Sequence, residues 1–231
     1  MTYILNIETT TKSCSVALSL NNDTIAIKES QSTYTHSENI TLFISDVIKN
    51  AGIKLNMIDA VAISKGPGSY MGLRIGVSTA KGLCCALDKP LIAVDTLGSM
   101  SLKAAKIIKD DKAFFCPMID ARRMEVYCAL FDSFNNNILP TEAKIINENS
   151  FIKELADSPI YFFGDGAFKC KDILKESTNA FFIDNYVMSA DALVPIALKK
   201  YLNKQFEDLN FFEPFYLKDF IPGVSKVKGL K

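Results

Sequence analysis

The chain has 231 residues, 48% of them hydrophobic, and its 26 basic side chains balance 26 acidic ones to a formal net charge of zero. That balance argues against a dedicated nucleic-acid binder, which needs a basic excess to neutralise phosphates, and no apolar run approaches the ~20 residues of a membrane span. Six cysteines without a C-x-x-C pair exclude a zinc knuckle or a thioredoxin motif and fit a reduced, cytosolic protein.

Tyr3 to Ile7 reads as an apolar strand, Cys14 to Leu20 as a second and Thr24 to Glu29 as a third. Asn21-Asn22-Asp23 supplies turn chemistry between the last two, so the chain opens as an antiparallel meander. Nothing before Tyr3 has the basic region and cleavage site of a signal peptide. Thr35 and Glu38 form a capping box. Ile40, Phe43, Ile44, Val47, Ile48 and Ala51 then recur at helical spacing, and Gly52 closes the helix. Ala60 to Ile63 is a short buried strand.

The stretch that follows, Ser64 to Gly82, carries five glycines and one proline. Glycine inside a helix costs roughly 1 kcal/mol against alanine, so Gly72 and Gly76 must gain something in return. The candidates are close approach of the backbone to a ligand or to a second element. A strand, a glycine-rich turn and a helix start form a potential anion site. Gly66, Gly68 and Gly72 nevertheless miss the dinucleotide fingerprint by one residue, and Lys81 is misplaced for a mononucleotide loop. A tight structural turn is the plainer alternative. On the helix from about Met71, Gly72, Gly76 and Ala80 form a face almost without side chains. Leu73, Val77, Ala80 and Cys84 make an adjoining apolar stripe, and Arg74, Ser78, Lys81 and Cys85 lie on another side. The bare face predicts a tight contact, internal or with another chain.

A strand at Leu91 to Val94 and a helix at Leu97 to Ile108 end the first half. The second half opens like the first: a strand at Ala113 to Asp120, a turn at Ala121 to Arg123 and a strand at Glu125 to Phe131. Strands near Ala143 to Ile146, at Ile160 to Phe163 and at Phe181 to Ile183 follow, with short helices from Ser150 and after Gly164-Asp165-Gly166. A helix from Ser189 to Leu202 precedes an aromatic, irregular segment, Phe211 to Phe220. Lysines at 218, 226, 228 and 231 read as a solvated tail. The pattern predicts an α/β protein with a duplicated mixed sheet. Its first lobe spans residues 1–110 and carries the interaction helices. The second spans 111–231, with its last helix returning to the first lobe.

Several motifs together resemble one family. GPGSYMGLRIGVSTAKGL from Gly66, ILNIETTTKSCSVAL from Ile4, HSENI from His36, IDARRMEVY from Ile119 and FEPFYL from Phe212 are similar to the TsaB family of bacterial tRNA threonylcarbamoyladenosine biosynthesis proteins. The order and spacing hold from Ile4 to Leu217. Departures are Glu8 for the usual Asp, Met71 for the usual Thr and Lys218 for the usual Arg. The resemblance implies the two-lobed fold of the actin, hexokinase and Hsp70 superfamily. It also implies a non-catalytic subunit that pairs with TsaD, with TsaE joining the larger assembly and tRNA bound only through the complex; for the chain alone, monomer and homodimer both stay open.

His36 is the sole histidine. TsaD-like proteins hold a metal in part through a paired-histidine motif on the corresponding helix. Position 40 here is isoleucine, so the resemblance implies a paralogue that lost the metal. No catalytic or metal-binding residue is expected. The expected partner face takes His36, Ile40 and Phe43 from one helix. Gly72, Arg74, Ile75, Gly76, Thr79 and Ala80 come from the next. Glu8, Gly66, Gly68, Asp120 and Gly164 are candidate contacts for weakly held ATP or ADP. Against that, Glu8 is equally suited to satisfying the backbone of its own turn, and Asp120 to pairing with Arg122 or Arg123. The alternative function is an ATP-dependent kinase or hydrolase acting between the lobes. A third, direct RNA binding, is disfavoured by the zero net charge.

Overall fold

In the computed structural model, which describes residues 1–30 and 36–218, two sheets are built to one plan. Thr35, half of the expected capping box, and the lysines at 226, 228 and 231 lie outside the described residues. Strands β1 (Tyr3–Glu8), β2 (Cys14–Leu20) and β3 (Asp23–Ser30) form the expected meander. Helix α1 (His36–Asn50), strand β4 (Ala60–Gly66), helix α2 (Tyr70–Leu87), strand β5 (Leu91–Asp95) and helix α3 (Thr96–Ile108) complete the first lobe. Its strands lie in the order β3-β2-β1-β4-β5, with β4 and β5 parallel to β1.

The second lobe repeats this. It comprises β6 (Phe114–Asp120), β7 (Glu125–Phe131), β8 (Asn137–Ile145), α4 (Ile152–Asp157), β9 (Ile160–Phe163), α5 (Ala167–Leu174), β10 (Ala180–Ile183) and α6 (Val194–Leu202). The order β8-β7-β6-β9-β10 mirrors the first sheet strand for strand, including which pairs are antiparallel. The duplication that the sequence only hinted at is thus explicit in the topology.

Two departures from the sequence reading have physical causes. Strand β8 starts at Asn137, six residues before the expected Ala143. It is an edge strand with Pro140 within it, and its residues Asn137 to Ile145 lack the apolar–polar alternation by which a half-buried strand is read. The helix expected from Ser189 is a 3₁₀ turn at Ala190–Leu193 followed by α6. Pro195 stands in the first turn of α6, where its missing N–H has no intrahelical partner to lose.

Strand alternation feeds three cores. Val61 and Ile63 of β4 face α1 and α2, beside Ile40, Phe43, Val77 and Ala80. Ala60 and Ala62 face the other way into a core between the sheets, which also takes Ile92, Leu97, Phe115 and Phe163. Cys116 and Met118 of β6 face α4 and α5, beside Leu155 and Leu174. Helix α3 packs on β6 and β7 of the second sheet as well as on β4 and β5. Helix α6 packs on β1 and β5 of the first. Lys200 of α6 fixes that return by donating to the Ala93 carbonyl at 2.7 Å.

Candidate functional site: the first turn, the glycine loop and the outer helices

Glu8 ends β1 and is fully buried. Its Oε1 accepts the backbone N–H of Thr10 at 2.6 Å and the Thr10 hydroxyl, and its Oε2 accepts the Ser64 hydroxyl. Burial pushes the Glu8 carboxyl up, and the hydrogen bonds from Ser64 and Thr10 pull it back only in part. Burial, with the neighbouring Glu8, also pushes the Cys14 thiol up to about 11. Glu8 therefore holds its own turn, the second of the roles open to it in the sequence.

The glycines explain why that turn is sealed. Thr9 donates its hydroxyl to the Gly72 carbonyl at 2.8 Å. A methyl on Gly72 would collide with the Thr9 carbonyl, and one on Gly76 with the Thr9 hydroxyl, 3.0 Å from Ile63 Cδ1. A methyl on Gly68 would stand 2.5 Å from the Thr10 carbonyl oxygen. At Gly66, φ is +115° and a methyl would stand 2.6 Å from the Phe215 carbonyl oxygen. Three N–H groups of the segment are occupied as well: Gly66 donates to Thr96 Oγ1 at 3.1 Å, Ser69 to Thr10 O at 2.7 Å and Gly72 to Ser69 Oγ at 3.3 Å. As placed, Gly66 and Gly68 serve internal packing.

This corrects part of the expected partner face. Gly72, Gly76 and Ala80 are buried, and their bare face is taken by the chain's own first turn and β4. Small residues at a spacing of four announce a close approach without naming the neighbour. Ile40 and Phe43 likewise point into the core beneath α1. Arg74, Ile75 and Thr79 line a shallow groove between α1 and α2, together with Ser37, Thr41 and Ser78. Leu42 is 61% exposed on α1 and Met71 59% exposed on α2. Half-buried His36 sets its Nε2 2.9 Å from the Thr11 carbonyl and so ties the start of α1 to the same turn.

Asp120, at the end of β6, matches Glu8 in topology but is exposed. It pairs with Lys169 Nζ and accepts the Arg122 backbone N–H at 2.9 Å. Partial burial raises its carboxyl, but these two contacts outweigh it and leave the group below the usual carboxylate range. Asp165 accepts the Asp120 N–H at 2.9 Å, and burial pushes it up. At Gly164 φ is +97°, and a methyl there would collide with the Met118 carbonyl. No local sequence signal pointed to Lys169 or Asp165 as partners of Asp120. Among the described residues no three His, Cys, Asp or Glu side chains gather as a metal site.

The family model for TsaD, tRNA N6-adenosine threonylcarbamoyltransferase, matches residues 27–221. The chain is 32% identical over 225 residues to the tRNA threonylcarbamoyladenosine biosynthesis protein TsaB of Escherichia coli (strain K12), covering 94% of each. It superposes with a TM-score of 0.82 and 23% identity on a Pseudomonas aeruginosa structure described as similar to peptidase YEAZ, covering 94% of this chain and 100% of that one. Component A of the Acidaminococcus fermentans (R)-2-hydroxyglutaryl-CoA dehydratase gives a TM-score of 0.50 at 10% identity, over 89% of this chain and 100% of that one. These likenesses show the fold, a two-lobed α/β architecture with one mixed five-stranded sheet in each lobe.

Gly72→Ala drives a methyl into a backbone carbonyl that cannot swing away, and is expected to cost about 2–3 kcal/mol, read as a lower denaturant midpoint with an unchanged slope. A midpoint equal to wild type would show that the first turn yields freely.

Ionising Glu8 is harder in the folded chain than in the unfolded one. Its contribution to stability is therefore full below the unfolded value near 4.5 and is lost as pH rises through the raised folded value. Glu8→Gln keeps the shape and removes the titration. Thermal midpoints from pH 4 to 8 should fall for wild type relative to the variant, whereas parallel curves would refute a raised Glu8.

Proposed function

The chain belongs to the TsaB family of tRNA threonylcarbamoyladenosine biosynthesis proteins, and from that membership we propose that it is the non-catalytic partner of a TsaD-type transferase. In this reading it supports transfer of a threonylcarbamoyl group to adenosine 37 of tRNAs that read codons beginning with A. It works in the cytoplasm, with TsaE joining the larger assembly and tRNA held through the complex. No described helix is long and apolar enough to cross a membrane.

One observation carries the reading. The acid and the glycine loop that a nucleotide-using relative would turn toward a ligand are here closed on each other through Thr9, Thr10 and Ser64. Glu8 is shut away from solvent, and in this reading the first lobe works through its outer surface. That surface is the α1–α2 groove, rimmed by Arg74, Ile75 and Thr79, with the exposed Met71 one turn before Ile75 on α2. An apolar patch with an arginine anchor suits a protein interface. The glycines contribute indirectly, because they let α2 settle deeply enough to set the groove.

The direct test is co-elution with TsaD. Arg74→Glu combined with Ser78→Glu changes only exposed groups of the groove, so the variant should melt like wild type yet lose the complex on size exclusion. Retention of the complex would place the interface elsewhere. In parallel, magnesium-ATP titrated into the isolated chain should give no heat at micromolar concentrations. Micromolar binding would instead favour an ATP-using enzyme.

A further inference from the structure

The segment after α6 is fastened along the flank of the first lobe. The Glu207 N–H donates to the Leu91 carbonyl at 2.9 Å, a single antiparallel bridge on the open edge of β5. Leu209 and Phe212 pack against the core beneath α1 and α2, and Lys81 Nζ donates to the Phe212 carbonyl at 3.0 Å. Beyond Phe212 the character changes. The Phe215 N–H donates to the Lys65 carbonyl at 2.7 Å, and the Phe215 carbonyl lies over Gly66. The Tyr216 ring lies 4.9 Å from that of Tyr70, the first residue of α2. Lys218 Nζ then reaches Glu125 Oε2 of β7, in the other lobe, at 2.6 Å.

The geometry points to a clasp: residues 213–218 close over the glycine loop and join it to the second lobe, and they open while the anchor at Glu207 to Phe212 stays in place. The two parts differ in what holds them. The anchor combines a backbone bridge with apolar side chains that reach the core. The clasp relies on one backbone bond, a tyrosine pair whose outer ring is 36% exposed and an ion pair open to water on its lysine side. Contacts of that class are individually weak, and segments held by them open locally well before the fold does. Opening would free the Lys65 carbonyl and the backbone at Gly66, and would release Glu125 beside the turn that carries Arg122 and Arg123. The inference does not rest on the partner proposed above, since every contact lies within this chain.

Hydrogen exchange on the full chain tests it, with Lys218→Glu and Tyr216→Ala as separate variants. Each should speed exchange of the Phe215 amide and of residues 65–70 about five-fold or more, as expected for losing one weak contact. The amides of β5 and the thermal midpoint should stay as in wild type. Adding Glu125→Lys to Lys218→Glu restores the pair with its charges reversed and should restore protection. Faster exchange at 213–218 with none at 65–70 would overturn the inference. So would a loss of protection that extends through β5, which would make the segment an inseparable part of the fold.

Discussion

The first lobe depends on a turn with no space around it. Thr9 and Thr10 sit between a buried carboxylate, which binds the Thr10 backbone and hydroxyl, and a helix face reduced to glycine at Gly72 and Gly76. Each side needs the other. A side chain on α2 would push the helix off the turn, and a turn without Glu8 would leave the Thr10 N–H and the hydroxyls of Thr10 and Ser64 buried without their acceptor. Because α2 sits so low, its opposite face and α1 form a shallow common surface, and the loop from Gly66 to Ser69 is closed from both sides.

The duplicated architecture makes this clearer by contrast. Both lobes put an acid at the end of their first strand, and both follow the fourth strand of the unit with a glycine at positive φ. In the first lobe the acid turns inward and is sealed. In the second, Asp120 turns outward to Lys169 and the Arg122 backbone. The pKa follows the environment, raised by burial for Glu8 and lowered by Lys169 and the Arg122 N–H for Asp120. One scaffold thus holds the same side-chain chemistry in opposite states, and topology alone would not have separated them.

Much of this was legible in the chain. The burial of Ile40, Phe43, Ile44, Val47 and Ile48 on α1, and of Leu73, Val77, Ala80 and Cys84 on α2, follows directly from helical spacing. Strands β2, β7 and β9 fall where their apolar runs placed them. What could not be read was the identity of distant neighbours. Spacing shows that Gly72 and Gly76 need company but not that Thr9 supplies it, so it leaves an internal contact and a partner equally open. Lys169 lies far along the chain from Asp120, and no local pattern links them. The early half of β8 escaped for a different reason: Pro140 and the polar Asn137, Thr141 and Glu142 leave too few apolar side chains to mark the face that Leu139 turns to the core.

The crossing of α3 and α6 has a further consequence. Each half of the polypeptide supplies a layer that covers the other half's sheet, so the lobes are interlaced like clasped hands. A protease that nicked the connection near Asp110 would leave two fragments, each still wrapped in the other's helix. Breakage of the peptide there and loss of the native shape are separate events, and the seam between the lobes is a place where the chain can be cut without coming apart.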